Sequence, residues 1–166
     1  MQTRLATLDD LAGIFAIYDE HVLRGTATFE TVVKTPEEKR AWLLAHGANS
    51  YPAIVAVDDA GMVAGWAGLS QWSPRQAYAR TAESSVYIQP SHHRTGLGRR
   101  LVKELIETAR ARTAVRVFIA RIALPAPGSV GLHESLGYRA IGTMRRCGEK
   151  FGRVLDVLLM DLHLDE

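Results

Sequence analysis

The chain has 166 residues, 20 lysine and arginine against 18 aspartate and glutamate, a formal charge of +2 and one cysteine, Cys147. A single cysteine excludes an internal disulfide framework, and with scattered histidines it lacks metal-ligand spacing, so no metal is expected. Residues 1–20 lack the apolar core of a signal, and Arg116 and Arg121 interrupt the best apolar run before it approaches the roughly 18 residues of a membrane span; the expectation is one cytoplasmic domain over 1–166, with no membrane partner.

In chain order, residues 2–6 alternate polar and apolar and predict a short first strand. Thr7 or Asp9 then caps a helix from residue 8 to about 24, with Leu11, Ile14, Phe15, Tyr18 and Val22 as its apolar stripe and Gly25 as its stop. Residues 26–31 read as an irregular or extended connection. Thr35-Pro36-Glu37-Glu38 is a capping signature that opens a second helix to about residue 46. Residues 52–57 form a buried strand, 58–61 a hairpin turn, and 62–70 the returning strand. A loop over 71–80 carries Trp72, Pro74, Arg75, Tyr78 and Arg80, and a central strand follows over 81–88. A helix over 96–112 leads to a fifth strand over 115–122. A short helix over 128–136 is stopped by Gly137, and strands from 138 to about 147 and over 154–163 close the chain as an antiparallel pair. Strand, two helices, three strands, helix, strand, helix, two strands is the order of an α/β sandwich on a mixed sheet.

The chain is organised around residues 86–101. Pro90 stops a strand rich in pleat-favouring residues, and after Gly98 the positions Leu97, Leu101, Val102, Leu105, Ile106 and Ala109 recur at helical spacing. Gly96 and Gly98 allow a tight turn that exposes backbone N–H groups at a helix N-terminus, and Arg94 and Arg99 add charge beside them. The pattern reads as an anion cradle or as a plain strand–helix turn. A dinucleotide fingerprint would want a third glycine where Leu101 stands, and a nucleoside-triphosphate loop would want Lys-Ser/Thr where Arg99-Arg100 stand. The basic excess is local to this turn, and 94–112 contains no aromatic residue, which argues against a nucleic-acid partner.

The string His93-Arg94-Thr95-Gly96-Leu97-Gly98 resembles the acyl-CoA loop of the GNAT superfamily of N-acetyltransferases, Gln/Arg-x-x-Gly-x-Gly/Ala after a central strand, with His93 departing at the first position. The resemblance spans residues 3–164. It implies the GNAT fold, α/β with a mixed sheet splayed between strands 4 and 5 and about four helices. It also implies acetyl-CoA as co-substrate, held by His93, Arg94, Thr95, Gly96, Leu97, Gly98 and Arg99 and by the main chain of Val86, Tyr87 and Ile88. Thr28-Phe29-Glu30, Pro74-Arg75-Gln76-Ala77-Tyr78, the strand from Thr81 to Tyr87, Leu132-His133-Glu134-Ser135-Leu136-Gly137-Tyr138 and Gly148-Glu149-Lys150-Phe151-Gly152-Arg153 together resemble the phosphinothricin and methionine sulfoximine N-acetyltransferases. That branch implies acetyl transfer to the α-amine of a small glutamate-like amino acid, and a homodimer whose interface borders the pocket. Ala126 stands where the family usually has asparagine, and Val154 where it often has tryptophan.

An α-ammonium must lose a proton before it attacks a thioester. Glu83, a lone carboxylate in the central strand, is the candidate base; its alternatives are a surface strand glutamate or a partner for Arg80. A strand N–H over 86–88 is the natural oxyanion donor. His133 is an acid, a positioning group or a core histidine. Arg75 and Arg80, flanking Tyr78, are forks for an acceptor carboxylate or solvated loop residues. Phe29 walls the side-chain pocket or simply packs, Lys150 meets an acidic side-chain group, and Ser129 is a cofactor contact or an N-cap. Cys147 has no neighbour that would make it a nucleophile. The rival readings are another amine acceptor (peptide N-terminus, polyamine or aminoglycoside), a non-catalytic acyl-CoA sensor, and a nucleic-acid modifier.

Overall fold

A computed structural model describes residues 1–165. In chain order it contains β1 (Gln2–Leu5), a 3-10 turn over Leu8–Asp10, α1 (Leu11–Arg24), α2 (Pro36–Ala45), β2 (Ala53–Val57), β3 (Val63–Gln71), β4 (Thr81–Ile88), α3 (Leu97–Arg112), β5 (Val117–Ala123), α4 (Pro127–Glu134), β6 (Arg139–Lys150) and β7 (Arg153–His163). The strands form one sheet in the order β1-β2-β3-β4-β5-β7-β6. Among the described residues the β4–β5 pairing is the one parallel ladder, and it is short: Thr81, Ala82 and Glu83 lie opposite Val117, Phe118 and Ile119. Beyond those rungs the two strands separate, the splay that the resemblance implied.

The sheet buries both faces, which is why β2 and the first seven residues of β3 read as nearly unbroken apolar runs. On one face α3 lays Leu101, Leu105 and Ala109 against Ile54, Leu69, Phe118 and Met160. On the other, α1 and α2 place Ile14, Phe15, Ile17 and Leu43 over Val55, Val57, Val63 and Trp66. Thr35 accepts from the Glu38 N–H at 3.3 Å and the Glu38 carboxylate accepts from the Thr35 N–H at 2.8 Å, the expected capping box of α2. Thr7, not Asp9, is the N-cap of the 3-10 turn that leads into α1, and Asp10 holds the N-cap position of α1 itself. The Thr7 N–H donates at 2.8 Å to the Asp10 carboxylate, which also receives the Arg4 guanidinium at 2.6 and 2.8 Å.

The first helix begins at Leu11 after a 3-10 turn, and the fourth spans Pro127–Glu134 rather than 128–136. Two other boundaries shift for a plain backbone reason. The fifth strand starts at Val117 rather than 115, because the Val117 N–H makes the first parallel rung onto the Arg80 carbonyl and the Arg116 N–H, sharing that acceptor, lies before the ladder begins. The closing pair is longer than 138–147 and 154–163, because Phe151 and Gly152 both adopt positive φ, 53° and 70°. A two-residue turn of that hand matches the twist of paired strands, so β6 and β7 run to its edges. The hairpin turn at 58–61 forms as expected, with the Asp58 carboxylate accepting from the N–H groups of Ala60 and Met62 at 2.9 and 2.8 Å. No helix among the described residues is long and apolar enough to cross a membrane.

Candidate active site

Where β4 and β5 part, a cavity of about 760 Å³ runs through the gap. Glu83, Ser84, Ser85, Val86 and Tyr87 line one side and residues 120–123 the other. Ala126, Ser129 and His133 close it at the α4 end, while Tyr18, Phe29, Lys34, Trp42, His46 and Trp66 line the half under α1 and α2. Alternation along β4 divides the chemistry between the faces. Glu83, Ser85 and Tyr87 project toward α1; Ala82, Ser84 and Val86 project toward α3.

The main chain of β4 alternates as well. The Gln89 N–H donates to the Ala64 carbonyl at 2.9 Å, and the β3–β4 register is unbroken from Gln89 back to Ala82. Tyr87 and Ser85 therefore spend their backbone groups on β3, and those of Val86 and the N–H of Ile88 face the gap. Of the three residues expected to act through main chain, Tyr87 does not; its ring instead packs on Tyr18 and Trp66 and walls the cavity. The Ile88 carbonyl is taken by the His93 Nε2–H at 3.0 Å, so the histidine at the first loop position ties the loop to the strand that precedes it.

At the head of α3, Gly96 is the N-cap with φ 82°, and no side chain caps the helix. The first-turn N–H groups are left to a ligand. Arg94, also at positive φ, and Arg99 are exposed beside them, whereas Arg100 turns away to the Met1 carbonyl. Thr95 Oγ1–H closes the turn onto the His92 carbonyl at 2.8 Å. A Cβ at Gly98 would stand 3.2 Å from Leu132, so this position holds α3 close to α4.

Glu83 does not meet Arg80. Its partner is Arg121 on β5, whose Nε–H and Nη2–H donate to its two oxygens at 2.8 and 2.5 Å. Parallel rungs put Glu83 level with Ile119, so Arg121, two residues on, shares its face. The hydrogen bonds that Arg121 donates to Glu83 raise its pKa further. The guanidinium also lies 5.9 Å from the centre of the Trp72 ring. Arg80 pairs with Asp165 at 3.1 Å, and Arg75, Tyr78 and Arg80 all lie outside the cavity. Lys150 is buried, its ammonium donating to the carbonyls of His21 at 3.0 Å and Thr28 at 2.8 Å. Burial lowers its pKa, and it fastens the end of α1 and the following loop to β6 rather than facing the cavity.

His133 donates Nδ1–H to the Ser129 carbonyl at 2.8 Å and packs edge-on against Tyr138. Burial lowers its pKa, so at neutral pH its Nε2 carries no proton to donate. The acid role loses its physical basis; the positioning role keeps it, because the contact fixes the first turns of α4. Beside it the Tyr138 hydroxyl, whose pKa burial raises, meets Ser84 Oγ at 2.9 Å at the point of the splay. Sequence reading missed Ser84, Tyr138, Lys34 and Arg121 as site residues. Arg121 had a signal, a cation inside an otherwise apolar strand two places past the register of Glu83.

His21 and His46 also have pKa values lowered by burial. As pH falls, the unfolded chain protonates near the ordinary value of about 6.5 while the folded chain resists, so the folded state is fully favoured above that value and loses ground below it. Thermal melting is expected to be flat above neutrality and to fall between about pH 6.5 and pH 5, with a shallower fall in His133→Gln.

Phe29, in the loop before α2, packs over Gly148 of β6, where a Cβ would fall inside its ring. Gly148→Ala is expected to fold, because an exposed phenylalanine can swing away, but to raise the acceptor KM several-fold and leave the KM of the other substrate unchanged. Steady-state kinetics beside Phe29→Ala checks this.

The chain matches the family model described as "Acetyltransferase (GNAT) domain" over residues 3–159. It is 40% identical over 162 residues to an L-methionine sulfoximine/L-methionine sulfone acetyltransferase of Pseudomonas paraeruginosa, covering 98% of this chain and 94% of that protein. Over 159 residues it is 38% identical to a phosphinothricin N-acetyltransferase of Streptomyces viridochromogenes, covering 95% and 84%. An acetyltransferase of Salmonella typhimurium, solved with its cofactor acetyl-CoA, superposes with a TM-score of 0.94 at 36% identity, covering 100% of this chain and 95% of that one.

Proposed function

This chain belongs to the GNAT acetyltransferase family, and from that premise we propose that it acetylates the α-amine of a small glutamate-like amino acid in the cytoplasm, in a ternary complex with acetyl-CoA. The observation that carries the reading is the gap between β4 and β5, whose cavity brings the gap-facing backbone of Val86 beside the Glu83 carboxylate, with the uncapped N-terminus of α3 following the end of β4. Acetyl-CoA supplies an activated acyl group as a thioester. The N–H groups after Gly96, with Arg94 and Arg99, would hold its pyrophosphate, and the gap-facing backbone of Val86 and Ile88 would pair with its pantetheine arm. Ala126 and Ser129 flank that path.

Glu83 takes the proton of the acceptor ammonium, and a β4 N–H in the gap stabilises the charge that develops on the acetyl oxygen. The leaving thiolate has an ordinary thiol pKa of about 8.5 and needs little help. Phe29, Tyr18 and Trp66 give the acceptor side chain an aromatic wall, and Lys34, held by Glu30 at 2.8 Å, brings a cation to the cavity. An exposed free thiol at Cys147 suits a reducing compartment.

We place a second copy of the chain against β6. Only Lys150 of its twelve residues is buried, and Ile141, Met144, Phe151 and Val154 expose apolar surface along this edge. Met144 and Cys147 reach the cavity from the same strand, so the contact would border the pocket. Light scattering of the purified protein is expected to give the mass of two chains.

The test of the reaction is thiol release from acetyl-CoA with L-phosphinothricin, L-methionine sulfoximine, methionine sulfone, ordinary amino acids, spermidine and a short peptide. Selective turnover of the glutamate-like acceptors is expected. Turnover of spermidine or peptide alone would keep the chemistry and replace the acceptor, and binding of acetyl-CoA without turnover of any acceptor would replace catalysis by sensing.

A further inference from the structure

The candidate base is occupied. Both oxygens of Glu83 are taken by the Arg121 fork, and a carboxylate held in that way is a poor proton acceptor. The pair is nevertheless open to exchange, because the Arg121 side chain is 52% exposed and the Glu83 side chain 17%. Both face the cavity on the α1 side of the sheet.

An amino-acid acceptor brings two charges into this cavity, a carboxylate and an ammonium separated by one carbon. Among the described lining residues the side chains that carry a fixed positive charge are Lys34 and Arg121. Lys34 is spoken for by Glu30 at 2.8 and 2.9 Å. Arg75 and Arg80 lie outside the cavity, and the Lys150 ammonium is turned to main-chain carbonyls. Arg121 has the planar fork that suits a carboxylate, already presented to one and flanked by the Trp72 ring.

We propose that Arg121 is the receptor for the acceptor's α-carboxylate and that Glu83 is its resting occupant, displaced when the acceptor arrives. This rests on the reading of the acceptor as an amino acid. With its carboxylate on Arg121, the acceptor holds its ammonium one carbon away, within the reach of the Glu83 carboxylate that has just been released. Charges then alternate around the site: guanidinium, carboxylate, ammonium, carboxylate. Glu83 accepts one proton from the ammonium, the free amine attacks the acetyl carbonyl carbon, the new C–N bond forms as the C–S bond breaks, and the second proton leaves nitrogen for the departing thiolate. The exchange makes the base available only to acceptors that carry a carboxylate beside the amine, so selection and activation are one event.

The test compares an amino acid with its methyl ester, which keeps the amine and side chain and removes the carboxylate charge. Wild type, Arg121→Gln, Arg121→Lys and Arg75→Gln are each assayed for thiol release with both acceptors, after circular dichroism has shown that they fold. Wild type is expected to favour the acid. In Arg121→Gln the ratio of kcat/KM for acid over ester is expected to collapse by about tenfold or more, mainly through the KM of the acid, with Arg121→Lys between the two. If Arg121→Gln does not fold, Arg121→Lys carries the test with the same direction. An unchanged ratio in folded Arg121 variants, with acid and ester falling in step, would mean a structural pair and overturn the proposal. Collapse in Arg75→Gln alone would move the receptor to the loop and overturn it as well. Wild-type enzyme that acetylates only amines without a neighbouring carboxylate overturns the amino-acid reading itself, an outcome separate from either of these.

Discussion

Glu83→Gln is expected to lower kcat by about 10²- to 10⁴-fold, the range that a positioned general base contributes. The amide keeps the shape of the side chain and a hydrogen-bond acceptor for Arg121, so the splay of β4 from β5 and the cavity wall persist. What it loses is the site for the ammonium proton. The KM of acetyl-CoA should be unchanged, because the residues proposed to hold it lie at the other end of β4, and turnover should rise more steeply toward alkaline pH, because removal of the ammonium proton then falls to solvent. A variant with wild-type turnover and an unaltered profile would remove Glu83 from the reaction and leave deprotonation to bulk solvent.

Gly96→Val is expected to damage the other substrate. Gly96 caps α3 at φ 82°, where an L side chain is strained and a β-branched one more so. The chain must either accept about 1–2 kcal/mol of strain or rotate the peptide and withdraw the N–H groups that line the anion site. Either response raises the KM of acetyl-CoA, by about tenfold or more if one charge-assisted contact to the pyrophosphate is lost. The acceptor KM at saturating acetyl-CoA should hold. No heavy atom stands within 4 Å of a Cβ at this position, so the damage comes from backbone conformation, and Gly96→Ala should show a weaker form of it.

The elements that positioned this site were legible because their signals are local. Proline and two glycines punctuate the stretch from Ile88 to Gly98, and helical spacing after Gly98 fixes the face of α3 that packs, so the cradle could be read residue by residue. Glu83 stood out as a charge in a strand. Its partner did not, because the pairing of β4 with β5 joins residues 38 apart in sequence, and only the register of a parallel ladder reveals that Arg121 shares its face. Arg75 and Arg80 are forks flanking Tyr78 in the sequence, but the loop that carries them is exposed outside the cavity, and Arg80 is drawn to Asp165 at the far end of the chain. Lys150 was misread for a different reason: a buried ammonium was matched to a substrate when two main-chain carbonyls already satisfied it. The extent of β6 and β7 depended on Phe151 adopting positive φ, which a phenylalanine seldom does and its identity does not announce.

The shortness of the β4–β5 ladder also makes the molecule a lever. Strands β1 to β4 form one plate and β5, β7 and β6 another, with α3 packed across one face of both. Three rungs join them, with Glu83–Arg121 fastening the joint on one face and Ser84–Tyr138 on the other. A wedge seated between the plates therefore bears on a joint three residues wide, and the packing of α3 across it on one face leaves the α1 face as the side on which the jaw would widen.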